Sequence, residues 1–224
     1  FEEIKKFLSR NEFITKDWNA LNVLVQNAST VGLTDLKIFP SEKSDYTFFE
    51  KLESGKFKLL YLLGSDNLEI KKTNEFVVYQ GSHGDRGVEI ADLILPSAAY
   101  TEQNSLYENL EGRVQECRKA SYPIGEAKED WKIFNSIIKK LGKNNKNFKF
   151  ELLRKEAKEK IQNFTEINEL PKKTVTNMND LKCEFISEKI LIKPLDYYYS
   201  NSISRASKTM SECRQINQTV RKTG

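Results

Sequence analysis

Three short apolar runs, each closed by a polar or proline-marked stop, constrain this chain more than any other feature. They are "KFKLLYLLGSDN" at 56–67, "EFVVYQGSHGD" at 75–85 and "ADLILP" at 91–96. Each run is too short for a good helix and suits a strand buried on both faces of a parallel sheet. Strands that end in glycine-containing polar loops describe the carboxyl edge of an open α/β sheet, where ligands usually sit. The predicted fold is therefore α/β: a Rossmann-like, mostly parallel sheet with flanking helices, followed by a helical and extended carboxyl-terminal tail that docks elsewhere.

The helices are read from spacing. Phe1, Ile4, Phe7 and Leu8 share a helical face. "DWNALNVLVQNASTVG" (17–32) places Trp18, Leu21, Leu24, Val25 and Ala28 on one face, with Asp17 as N-cap and Gly32 as terminator. Residues 33–55 read as a connection with a short helix near Phe48 to Leu52. "GEAKEDWKIFNSIIKKLG" (125–142) has acids at its start, Lys139 and Lys140 at its end and Gly142 beyond, as the helix dipole prefers. Burying Trp131, Phe134, Ile137, Ile138 and Leu141 together would contribute about 10 kcal/mol of gross transfer energy. Residues 143–147, "KNNKN", read as a linker before a charged helix at 148–164 that turns Leu152, Leu153, Ala157, Ile161 and Phe164 inward. Residues 165–182 read as loop. A strand-like run, three adjacent tyrosines and a helix capped near Ser202 make up the tail. The expected division is 1–142 for the α/β domain, 143–182 for linker and charged helix, and 183–224 for the docking tail.

Composition removes several functions. The 36 basic residues barely exceed the 32 acidic ones among 224, which argues against a dedicated nucleic-acid surface. The longest apolar runs fall far short of a bilayer span, so no direct membrane insertion is expected. Cys117, Cys183 and Cys213 are scattered and His83 is the only imidazole. A zinc or iron–sulfur centre needs clustered thiolates or imidazoles, so no metal ligand, cofactor ligand or catalytic residue is assigned. Sparse, odd cysteines suit a reducing compartment. The absent initiator methionine is read as a mature form, a fragment or part of a longer polypeptide.

The individual candidates stay structural. His83-Gly84-Asp85 reads as a loop whose ring bonds to backbone. Asp92, Glu102, Glu108 and Glu111 are spread over a strand and the residues after it, so no acid/base pair is forced together; Asp92 is expected to accept backbone or Arg hydrogen bonds. In Glu111-Gly112-Arg113 the glycine permits a positive φ and the Arg113 fork bridges segments of the fold. Gly64-Ser65-Asp66-Asn67 is a weak phosphate cradle, and Tyr197, Tyr198 and Tyr199 suit contact with a partner.

The stretch "ADLILPSAAYTEQNSLYENLEGRVQ" (91–115) resembles the segment shared by the molybdopterin oxidoreductase superfamily, which runs from an alanine–aspartate strand to Asn-x-Glu-Gly-Arg. With "VVYQGSHGDRGVEIADLILP", "AKEDWKIFNSI" and "DYYYSNSISRASKTMSEC" in order, it is most similar to the carboxyl-terminal part of the largest iron–sulfur subunit family of respiratory complex I. Residues 143–190 carry the resemblance least. The resemblance implies a structural, cofactor-free part of the peripheral arm on the matrix side of the mitochondrial inner membrane. The cytoplasmic face of an alphaproteobacterial inner membrane is the alternative. It implies iron–sulfur clusters, FMN and NADH elsewhere in the complex, a companion chain or upstream segment with the iron–sulfur domain, and other peripheral-arm subunits as partners. The rival readings are a fragment of a true molybdopterin enzyme such as a formate dehydrogenase, and an autonomous nucleotide-binding module.

Overall fold

The computed structural model describes residues 2–13, 22, 24–25, 27–38, 48–65, 68, 70–142, 148–161, 166–170 and 196–223. These group into two compact units built from interleaved segments: Phe1–Phe39, Ser105–Cys117 and Lys149–Leu191, and Pro40–Asn104, Arg118–Phe148 and Ile192–Gly224.

The second unit holds the sheet. β1 (Leu59–Leu63), β2 (Phe76–Gly81) and β3 (Leu93–Pro96) lie parallel in that order. Leu60 pairs with Val77, Leu62 with Tyr79, and Gln80 with Leu95. Parallel neighbours need crossovers, and both are present. The first runs through Leu68 and Ile70. The second carries α4 (Arg86–Glu89). Leu60, Leu62, Val77 and Tyr79 project from one face and bury Leu52 of α3 (Phe48–Glu53) among them, with Phe48, Phe57, Leu68, Ile70 and Val88 around the rim. The other face receives α5 (Asp130–Lys140), whose Phe134 stacks on Tyr61 with ring centroids 5.8 Å apart.

The sheet matches the α/β expectation, and the short helix at 48–53 forms where the spacing places it. Burial on both faces holds for β2, where Val77, Val78, Tyr79 and Gln80 are all buried. It fails for β1. Leu59 and Leu63 are about half exposed, because α5 covers Tyr61 and leaves its flanking leucines open. α5 itself begins and ends as expected, with Gly142 at φ +65° after its last turn. Its buried residue, however, is Ile133, outside the expected face, while Leu141 is 64 % exposed. The transfer energy estimated from five buried side chains is accordingly too high.

In the first unit, α1 (Glu2–Arg10) forms where the spacing places it, and Phe7 packs on Phe13. The helix expected over 17–32 is not there at its described positions. Asn22, Leu24 and Val25 lie outside any helix, Leu24 almost fully exposed, and helix resumes only as α2 (Thr30–Asp35). Gly32 lies inside that helix instead of ending it, close to the Glu108 side chain. An amphipathic pattern yields helix only when its apolar stripe finds something to bury against, and Leu24 finds nothing. Trp18 and Leu21 fall outside the described residues. α6 (Phe150–Lys160) confirms the charged helix, yet none of its residues is buried, and Leu152, expected inside, is mostly exposed. Phe164 is outside the described residues.

β4 (Ser105–Glu108) and β5 (Val114–Cys117) form an antiparallel hairpin. Asn109 organises its turn: the Oδ1 accepts from the N–H groups of Glu111 (3.0 Å) and Arg113 (2.9 Å), and Gly112 takes φ +77°. An Asn that bonds its own following backbone beside a glycine free to adopt positive φ is a turn with a mechanism.

Candidate functional site

The open carboxyl edge of the three-stranded sheet is where ligand chemistry would be sought in such a fold. Here it holds a polar network made by the chain itself. Gln80, fully buried on β2, donates from Nε2 to Asp130 Oδ1 at 2.6 Å. Ser97 Oγ donates to the same oxygen at 2.6 Å, and Gln103 Nε2 reaches Asp130 Oδ2 at 3.2 Å. Gln103 Oε1 accepts from the Asp130 N–H, while the Tyr61 hydroxyl donates to Gln80 Oε1. Burial, and then the nearby Asp130 charge, push the Tyr61 phenol up. Asp130 thus clamps β1, β2, the segment after β3 and the first turn of α5. Ala98 N–H to Lys128 O and Lys128 N–H to Pro96 O continue the clamp through backbone.

Glu129, next to it, is also buried. Burial alone would raise its carboxyl, but the Trp131 indole N–H at 2.7 Å, with Lys132 and Lys119 at 3.3 and 3.6 Å, outweighs it and holds the group below the ordinary carboxylate range. On the far side of the sheet the buried Glu75 is held low chiefly by the Thr73 hydroxyl at 2.5 Å, against the effect of burial.

The loop after β2 is closed differently. The Tyr79 ring, 1 % exposed, lies under Gly81 and Gly87, and its hydroxyl donates to the His83 carbonyl at 2.6 Å. The His83 ring meets the Ser82 hydroxyl at 2.9 Å rather than backbone, so the expected ring contact is corrected. Asp85 caps α4 by accepting from the Arg86 N–H. It also receives the Arg205 guanidinium from the tail. The tail is therefore tied to the loop after β2 of this same chain, because an N-cap carboxylate keeps an oxygen for an Arg fork.

The other sequence candidates scatter. Asp92 stands one residue before β3, accepting from the Val77 N–H at 2.8 Å and from Lys72, not an Arg, at 2.5 Å. The Lys72 bond, and then the Val77 bond, hold its carboxyl low. Glu102 accepts from the Ala99 N–H at 3.0 Å. Glu108 and Glu111 belong to the hairpin in the other unit. Arg113 Nη2 donates to the Asn168 carbonyl at 2.9 Å, bridging the hairpin to the 166–170 turn. Gly64 has φ +58°, and Asp66 and Asn67 lie outside the described residues. Tyr197 is 82 % exposed, while Tyr198 and Tyr199 are half-buried. Cys117 and Cys213 are half-buried, and Cys183 lies outside the described residues. Among the described residues no three His, Cys, Asp or Glu side chains gather in a metal-binding group, and no helix is long and apolar enough to cross a membrane.

Sequence reasoning missed Gln80, Ser97, Gln103 and Asp130. Asp130 is legible only as one of several acids opening a helix, and Gln80 only as the polar end of an apolar run.

Four carboxyls held low in the folded chain predict a pH dependence. Glu75, Asp92, Glu129 and Asp196 bind protons less readily folded than unfolded. Their contribution is complete at neutral pH and fades as pH falls below about 4.3. Urea midpoints should therefore be alike at about pH 7 and pH 5 and fall by about pH 3, and a flat profile down to that pH would contradict these assignments.

An open, mostly parallel α/β sheet with its polar groups collected at the strand carboxyl ends defines the class. Residues 1–140 match the family model for molybdopterin oxidoreductases, and the chain belongs to that family. Residues 173–213 match a second model, which describes a carboxyl-terminal region of NADH-ubiquinone oxidoreductase. The chain is 36 % identical over 220 residues to the NADH-ubiquinone oxidoreductase 75 kDa subunit of Reclinomonas americana, covering 96 % of this chain and 31 % of that protein. It is 36 % identical over 223 residues to the mitochondrial NADH dehydrogenase [ubiquinone] iron-sulfur protein 1 of Solanum tuberosum (96 % and 29 %). Over 211 residues it is 36 % identical to an NADH-quinone oxidoreductase subunit of Rickettsia typhi (94 % and 30 %). The chain thus spans about a third of the length of these relatives.

Proposed function

We propose that this chain is a structural, cofactor-free part of the matrix-side peripheral arm of respiratory complex I. It supports NADH-to-ubiquinone electron transfer carried by other regions or subunits. The relatives are subunits of NADH-ubiquinone or NADH-quinone oxidoreductases, and the match accounts for only a third of their length.

The observation that carries the cofactor-free reading is the Asp130 network. A phosphate-bearing pterin needs backbone N–H groups, amide donors or cations aimed into an open edge. At this edge Gln80, Ser97 and Gln103 already donate to Asp130, and Lys119 and Lys132 face Glu129. Tyr79 fills the space beneath the glycines that a phosphate loop would use. The residues present do not suit that group, and the proposal puts the redox centres in the remainder of the complex.

Native isolation tests this. Mass spectrometry of the intact assembly should find peripheral-arm subunits travelling with the chain, including a polypeptide that carries the iron–sulfur domain. Molybdenum and tungsten should stay at background as the chain is enriched. Either metal rising in step with the chain would favour a working molybdopterin enzyme instead.

A further inference from the structure

The tail has a bond network of its own. A 3-10 turn at Tyr197–Tyr199 is followed by α7 (Ser202–Ala206) and α8 (Lys208–Thr223). Asp196 pairs with Arg214 at 2.6 Å, and the Arg214 guanidinium lies over the Tyr199 ring, 4.5 Å from its centroid. The Tyr199 hydroxyl donates to Ser211 Oγ at 3.1 Å. Asn201 and Ser204 exchange side-chain and backbone hydrogen bonds in a capping box at the start of α7. These bonds order the tail without calling on the sheet. Arg205 then links the two: its Nη1 donates to the Tyr199 carbonyl at 3.2 Å, and its Nε reaches Asp85 at the carboxyl edge. Both side chains of that ion pair are mostly buried, 13 % and 20 % exposed.

We propose that the tail is a preformed strap, latched across the loop after β2 by Arg205 and Asp85, which docks and releases as a unit while the sheet stays folded. A charge pair withdrawn from water is costly to break by removing one member, because the other is left uncompensated. The pair therefore holds the strap specifically. The strap keeps its shape when it leaves, because its internal bonds do not pass through Asp85.

Hydrogen exchange on the native assembly, read by peptide mass spectrometry, tests this. Arg205→Ala should speed exchange in the peptides covering α7 and the loop at 82–90 by roughly tenfold or more, leaving β1 and β2 as protected as before. Asp85→Asn keeps a competent N-cap while removing the charge, so it should loosen the same peptides with α4 intact. The double variant should be no looser than Arg205→Ala alone, since Asp85→Asn removes an interaction that the alanine change has already removed. Arg205→Lys, which keeps charge but loses the fork, should fall between. Unchanged exchange in Arg205→Ala would overturn the proposal, as would loosening of β1 and β2 together with the tail, or additive effects in the double variant.

Discussion

Asp130→Ala should destabilise the sheet unit by about 2–5 kcal/mol, since each buried donor left without its acceptor costs about 1–3 kcal/mol. Gln80 Nε2 cannot turn to water, because the residue is fully buried, and both Ser97 and Gln103 lose the same carboxylate. Asp130→Asn retains an acceptor oxygen and should cost less than the alanine change. Urea denaturation of the purified chain or its assembly measures both. The pairing with Gln80 gives a sharper test. Gln80→Leu should soften the effect of a later change at Asp130, because the buried amide that needs the carboxylate is gone. Turnover supplies a second readout. If the network only holds the edge shut, NADH oxidation per assembled complex stays unchanged in Asp130→Asn. Reduced turnover at unchanged assembly would place Asp130 in the chemistry and sink the structural reading.

Gly87→Ala should cost about 1–3 kcal/mol through overpacking. A Cβ there would lie 2.8 Å from Tyr79 Cδ2, 2.9 Å from Cε2 and 3.2 Å from the Ser65 carbonyl. The ring cannot yield, being enclosed in the core and tied through its hydroxyl to the His83 carbonyl. For a chain of this size each kcal/mol lowers the melting temperature by about 2–4 °C, so calorimetry should resolve the change. In a Tyr79→Leu background the clash partner is gone and the cost of Gly87→Ala should shrink. An equal cost in both backgrounds would show that something other than the ring demands glycine. A Cβ added at Gly81 would meet the hydroxyl end of the same ring, closer than van der Waals contact allows. One tyrosine thus explains both glycines.

Much of the sheet is legible without coordinates. The three runs become three parallel strands because each is a short apolar run of strand length and ends in a residue that stops one. The end of α5 is equally legible, since Gly142 takes the left-handed conformation that terminates a helix. The hairpin from Ser105 to Cys117 is not, although Asn109 and Gly112 stand at its turn. Four-residue strands carry too little alternation to separate from loop. The pattern over 17–32 misleads for the opposite reason. Its spacing is good, but Leu24 is exposed, and spacing says nothing about whether a partner surface exists.

The candidate site divides in the same way. The side-chain type alone identifies Arg113 as a bridging group and Asp92 as an acceptor of backbone hydrogen bonds, although their partners Asn168 and Val77 lie 55 and 15 residues away. Asp130 and Gln80 are fifty residues apart, and Arg205 and Asp85 are separated by 120. The sequence by itself settled the layered α/β class, the helix stops and the scarcity of thiolate and imidazole ligands, since these depend on residue type and short-range spacing. Only the tertiary structure decided which carboxylate clamps the strand ends, which glycines lie against a ring, and where the tail is held. Those outcomes depend on distances through space, and chain separation does not encode such distances until the core has packed.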